Sequence, residues 1–555
     1  MYLTGLLLFL LILSPFVRCE EIQTIEARVD AIFAKRDNTG SPGCAVGVFR
    51  EGQIIFAKGY GMANLELGIR NTPQNIFDLG STSKQFTAFA IMLLAKDGKL
   101  SLDDDIRKYI PEIPNYGNLI TIRNLLHHTS GLRDYCTLLD LAGFQNEDLA
   151  TKNDALKVIS KQKTLNFKPG DEYMYSNSGY FLLSVIVERV SGKLMRNFAR
   201  ERIFVPLGMI HTQYNDKHTR IIPGRATGYS EENEGYGISM SNWEQTGDGA
   251  VQTSVEDLFL WDRNFYDAKV GGPDLIAQML IPGELNNGKN LDYAAGLMHG
   301  EFRGLKMVSH GGGWAGYRAE LIRFPEQKFS VVCLCNLNSM DPSLLARKVA
   351  EVYLEDKMEP EPPGKIDDSN PIISLPLSEL TKNTGSYYNS KNDSFWKVSV
   401  IEGKLIANGP GYEYTLLPVA PDTFRVEGAP ATVTFVTSSS GKRPHLKVKI
   451  SYEKEPRTFL PVETWTPTRS ELEKMAGDYK SDELDSTLTL IHENGALLLK
   501  FRLFGETPLP LLPGLKESFI YKNITIVFDN NPKNRVEGFT LGTGRVKNIR
   551  FIKIH

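Results

Sequence analysis

The last third of this 555-residue chain is written twice. Ser378-Glu379-Leu380, followed by Gly385 and Tyr387, returns as Ser470-Glu471-Leu472, followed by Gly477 and Tyr479, an offset of 92 (379 against 471). Gly403-Lys404-Leu405 matches Gly495-Ala496-Leu497 at the same offset, and Leu416-Leu417-Pro418 with Phe424 matches Leu511-Leu512-Pro513 with Phe519 at 95 (416 against 511). Each copy alternates apolar and polar residues in short runs between turn residues. That pattern predicts two small antiparallel barrels or sandwiches, at 377–466 and 467–555. Residues 358–376, MEPEPPGKIDDSNPIISLP, are rich in proline and acid and read as a linker. The front of the chain, 20–357, must then close a core of its own.

In that front part, two apolar runs flank Glu51-Gly52 and predict a β-hairpin between Gly43 and Gly61. Strand patterns return at Tyr293–Met298, Lys306–Ser309, Tyr317–Phe324 and Phe329–Leu337. The middle reads as helix, with Thr121 and Ser254 as caps, and Pro342–Asp356 reads as an amphipathic helix. The expected class is α+β: one antiparallel sheet built from both ends of the segment, a helical subdomain beside it, and a cleft between the two.

Composition excludes more than it identifies. A net charge of -3 gives no pull toward nucleic acid or anionic membrane. Residues 1–19 have an apolar run too short to span a bilayer and broken by Pro15, as in a signal peptide, which predicts secretion to the periplasm or exterior or, if uncleaved, a membrane anchor. The mature chain is expected not to insert. Cys44, Cys136, Cys333 and Cys335 are too few for a disulfide framework and read as structural; Cys333 and Cys335 are expected on opposite faces of a strand. Asn392 and Asn523 begin glycosylation sequons.

Three short motifs suggest chemistry. Ser81-Thr82-Ser83-Lys84 opens a helix pattern through Phe86, Phe89 and Leu93. There Ser81 and Lys84 share a face, and a desolvated lysine can take the hydroxyl proton. Tyr175 and Asn177 stand two apart at the start of a second helix; the phenol can relay a proton and the amide can orient a carbonyl. His310-Gly311-Gly312-Gly313 lies on a strand, where glycines let a ligand or another chain approach. Singly, each is most often structural: a cap, a loop tyrosine, a turn. His310 has no spaced partner for a metal, and no lysine follows the glycines to hold a phosphate. His127-His128-Thr129-Ser130-Gly131 reads as a turn beside the site.

Together, Ser81-x-x-Lys84, Tyr175-x-Asn177 and His310-x-Gly312 resemble the three motifs of the serine β-lactamase and penicillin-binding-protein superfamily, nearest its class C-like hydrolases. With the repeats, the layout is similar to that of the three-domain D-aminopeptidases. The resemblance implies a catalytic Ser81, with Lys84 and Tyr175 sharing proton transfer and His310 in the third motif. It also implies substrate binding by Asn177 and Gly312, and an oxyanion hole from the N–H groups of Ser81 and Gly313. No metal or cofactor is implied, and the partner is a small peptide or ester. The superfamily usually has Lys-Thr-Gly where this chain has His310-Gly311-Gly312, so the cation and hydroxyl that hold a substrate carboxylate are expected to be missing. The functions implied are a D-aminopeptidase-like peptidase or a carboxylesterase; a catalytically silent binding protein is the alternative from another class. In D-aminopeptidases a loop of the last domain binds the substrate amine, and Asp529 is the expected equivalent.

Overall fold

A computed structural model describes residues 24–554 except 146, 361–369, 391–393, 410–412, 430, 438–442, 451–454, 502–506, 516 and 531–534. The apolar leader, the middle of the proline-rich linker (361–369) and Asn392 with Asp393 of its sequon lie outside the described residues.

Glu51 and Gly52 both take positive φ, 50° and 76°. That is the two-residue turn whose twist suits a hairpin, and it joins β1 (Cys44–Arg50) to β2 (Gln53–Tyr60). Four strands follow much later: β3 (Met298–Phe302), β4 (Leu305–Trp314), β5 (Tyr317–Phe324) and β6 (Phe329–Cys335). The antiparallel order is β3-β4-β5-β6-β1-β2, so the two ends of the segment meet at the β6–β1 seam. The stretch expected as a strand at Tyr293–Met298 is instead a loop closed by a single bridge between those two residues. Gly296, at φ 72°, turns the chain there against the backbone of Lys84, where a Cβ would stand 2.7 Å from the Lys84 carbonyl carbon.

Both faces of the sheet are covered, and the core splits accordingly. Val46, Val48, Val331 and Cys333 pack with helices α1 (Ile25–Phe33) and α5 (Pro342–Leu354). Ala45, Phe49, Val332 and Leu334 pack with the helical side. Cys333 and Cys335 therefore share a face, contrary to expectation, because strand side chains repeat every second residue. Cys44 pairs with Cys335 directly across the β1–β6 seam and forms a disulfide; Cys333 Sγ lies 3.6 Å from Cys335 Sγ.

The helical side centres on α2 (Lys84–Lys96), buried all round from Lys84 to Leu94, as only a helix packed on every side can be. Against it lies α4 (Asn177–Ser191), which stops at left-handed Gly192. A shorter helix, α3 (Tyr135–Leu141), is capped by Asp134. The caps read from sequence form: Thr121 and Asn124 make a capping box, and Ser254 accepts from the N–H of Asp257. No helix among the described residues is long and apolar enough to cross a membrane.

The repeats fold as all-β units. Strands between Gly385 and Val462 close an eight-stranded antiparallel barrel. Those between Gly477 and Lys553 form a nine-stranded sheet whose two end strands, Leu509–Pro510 and Leu512–Pro513, are separated by Leu511 alone. The sheet thus curls almost shut at its broken fourth strand. The first barrel has its own apolar core, whereas the core of the second is continuous with that of the helical side.

Candidate active site

Asp78 accepts the N–H of Gly80 at 2.8 Å, and Gly80 takes φ 49°. These start a 3₁₀ turn, Gly80–Ser83, which holds Ser81 just ahead of α2. β4 runs hard against this turn. A Cβ on Gly312 would stand 1.9 Å from the Leu79 oxygen and 2.9 Å from the Ser81 nitrogen; one on Gly80 would stand 2.7 Å from the Gly313 nitrogen. The third motif needs glycine because two backbones touch there.

Lys84 is fully buried. Its Nζ donates to Ser81 Oγ at 3.0 Å, Asn177 Oδ1 at 2.9 Å and the Asp248 carbonyl at 2.7 Å. Burial drives its pKa down to about 8; the Asp248 carboxylate opposes the shift and Arg545 adds to it. Tyr175 is pushed well above the ordinary phenol value by burial, partly opposed by Ser81, although its buried Oη makes no full hydrogen bond. Of the two groups, Lys84 is the one that is neutral and basic near pH 8, and Tyr175 remains a phenol.

His128, at φ 56°, stacks on Tyr175 with ring centroids 4.2 Å apart and accepts the Ser176 N–H on Nδ1 at 3.1 Å. The turn beside the site is thus the bed on which Tyr175 lies. Asn177 begins α4, and its N–H donates to Asp134 Oδ2 at 2.7 Å. His310 is buried, and burial lowers its pKa to about 3, so it is neutral. Its Nδ1–H donates to the Gly311 carbonyl at 2.6 Å, which leaves Nε2 to accept from Tyr293 Oη at 3.1 Å. With both nitrogens engaged, His310 supports the wall and has no free nitrogen with which to relay a proton. Position 311 faces away from Ser81: its Cβ would meet Glu320 Oε2 at 2.8 Å. A hydroxyl restored there would not reach the cleft.

Ser81, Tyr175, Asn177, His310, Gly312 and Gly313 line one cavity of about 610 Å³, with Lys84 beneath it. Asp134, Cys136, Trp243, Asp248 and Arg545 also line it, and no motif announced them. The last is the surprise. The expected acid, Asp529, pairs with Arg550 and does not line the cavity; the last barrel contributes a cation instead.

A family model described as Beta-lactamase matches residues 24–354. The chain belongs to the beta-lactamase family. Within that family it is similar to penicillin-binding protein 4* of Bacillus subtilis, 33% identical over 51% of this chain and 66% of that protein. It is also similar to a D-aminopeptidase of Gluconobacter oxydans, 32% identical over 56% of this chain and 58% of that one. The matched segments thus span less than two thirds of each of these two relatives. A D-aminopeptidase of Brucella canis is 24% identical over 96% of this chain and 99% of its own. The octameric penicillin-binding protein homologue of Pyrococcus abyssi superposes with a TM-score of 0.55 at 26% identity, over 78% of this chain and 99% of that one. Family membership and the Ser81–Lys84 geometry make the protein a beta-lactamase-related serine hydrolase.

Proposed function

We propose that this protein hydrolyses the amide bond of small D-aminoacyl compounds through an acyl-Ser81 intermediate. The observation that carries the chemistry is the buried Lys84, 3.0 Å from Ser81 Oγ and with a pKa of about 8. As a free amine it takes the Ser81 proton while Oγ bonds to the carbonyl carbon. The oxyanion that forms is received by the N–H groups of Ser81 and Gly313. The C–N bond then breaks, and the proton passes from Lys84 to the leaving nitrogen with the Tyr175 phenol as relay. Water releases the acyl group by the reverse path. For the substrate, support comes from the likeness to D-aminopeptidase along nearly the whole chain. The lining carboxylate of Asp248, with a buried and unpartnered Oδ1, suits a substrate ammonium. The neutral third motif favours a second reading, a carboxylesterase, whose substrates need no cation. Secretion is part of the proposal: the Cys44–Cys335 disulfide suits an oxidising compartment.

The test is a panel of D-alanyl anilides, short-chain nitrophenyl esters and nitrocefin, with fluorophosphonate labelling alongside. D-Alanyl anilides should be turned over best, and Ser81→Ala should abolish both turnover and labelling. Undiminished labelling of the Ser81→Ala protein would remove the nucleophile assignment; preference for esters would select the second reading.

A further inference from the structure

Among the described residues, Arg545 is the one residue of the last barrel that lines the catalytic cavity. It sits at the turn between strands Val536–Thr543 and Val546–Lys553, after Gly544 at φ 46°. The catalytic domain holds the backbone of this turn. Asn166 Nδ2 donates to the Arg545 carbonyl at 2.8 Å, and Asn166 Oδ1 accepts the Lys547 N–H at 2.8 Å. Arg133, itself buried, donates to the carbonyls of Lys547 and Asn548 at 2.9 and 3.0 Å. The guanidinium is left for something else. It lies 4.7 Å over the Tyr175 ring and 3.9 Å from Asp134 Oδ2, and it donates no hydrogen bond to a described residue. Asp134 already accepts from the N–H groups of Asn177 and Thr137. A clamped backbone thus presents a planar guanidinium that, beyond its long ion pair with Asp134, makes no hydrogen bond to a described residue, and a carboxylate is the group such a fork matches.

We propose that Arg545 binds a free carboxylate on the leaving-group side of the substrate, which makes a zwitterionic dipeptide, and not a neutral amide, the preferred substrate class. This rests on amide hydrolysis at Ser81. The side follows from Tyr175: the phenol serves the departing nitrogen, and a carboxylate on the carbon next to that nitrogen falls beneath the guanidinium. The neutral His310 motif leaves this task open. The charge of the cavity's other arginine, Arg225, is felt at Asp78, whose carboxyl pKa it lowers.

Kinetics of D-alanyl-glycine and D-alanyl-glycinamide isolate the carboxylate. The full-length protein should prefer the acid by about tenfold to a hundredfold in kcat/KM, the worth of a charge-assisted hydrogen bond. Arg545→Gln should collapse that ratio, Arg545→Lys should keep part of it, and Arg225→Gln should leave the ratio standing. The ratio cancels any common change in rate that follows from altering the field at Lys84. In parallel, benzylpenicillin and its methyl ester compete for fluorophosphonate labelling of Ser81; the penicillin carboxylate occupies the same position relative to the scissile nitrogen. A ratio near one in the native protein, or an unchanged ratio in Arg545→Gln, overturns the proposal. Dipeptides left intact by protein whose Ser81 still labels would remove the aminopeptidase reading alone. The carboxylate proposal would then be decided by competition, and it fails if the acid competes no better than its ester.

Discussion

Lys84 has three acceptors for three protons, and so the charged amine is satisfied in hydrogen bonds but not in solvation. To act as base it must lose one proton and turn the lone pair to Ser81. kcat/KM should therefore rise tenfold per pH unit below about 8 and level off above it. Lys84→Met should lower turnover by roughly 10²–10⁴-fold. A rate profile flat between pH 6 and 9 would show that another group is the base. The stability linkage runs in the same direction. Because the folded pKa lies below the ordinary 10.5, the unfolded chain holds the extra proton between about 8 and 10.5, and folding gains stability as pH rises through that window. At this scale the sequence was informative only where function compresses residues into short spacings. Ser81 with Lys84 and Tyr175 with Asn177 could be read that way. Asp248, which touches Lys84 from 164 residues away, could not, because no spacing constrains two groups that only the fold brings together.

β4 does two things at once, continuing the sheet and pressing its glycines on the 3₁₀ turn of Ser81. Gly312→Ala forces those backbones apart, and should destabilise the protein by about 1–3 kcal/mol with a matching loss of Ser81 labelling. Gly249→Ala is the comparison: its Cβ would meet the Gly80 carbonyl at ordinary van der Waals distance, 3.8 Å to the oxygen and 3.9 Å to the carbon, so its melting temperature should barely move. Equal losses of stability in the two variants would mean that the β4 contact is not tight. The hairpin at Glu51-Gly52, the caps and the central strands were legible because turn chemistry and apolar runs are local signals. The loop at Tyr293–Met298 was not. Its residues form a short continuous apolar run that a buried strand would also show, and the packing of Gly296 against Lys84 keeps it out of the sheet.

Arg133 and Glu483, 350 residues apart, form an ion pair at 2.6 Å with both side chains buried, and this pair joins the catalytic domain to the last barrel. Glu483→Ala leaves a guanidinium buried without its carboxylate, a loss of about 3–5 kcal/mol. Calorimetry should show two transitions: one for the first barrel, whose core is separate, and one for the catalytic domain melting with the last barrel. Glu483→Ala should lower the second and leave the first in place; a shift of both together would mean that the three units melt as one. The repeat revealed the two barrels from sequence, since duplication leaves matched residues at a constant offset. It could not reveal that the second barrel docks, because the docking residues are single and scattered. The separation of Ser81 from Arg545, 464 positions along the chain (81 against 545), bears on how such a molecule changes over generations. Bond breaking is encoded early and the charge that sorts substrates late, on a turn that holds none of the reacting groups. Heritable variation in that turn can retune what is digested while the hydrolytic apparatus is inherited intact.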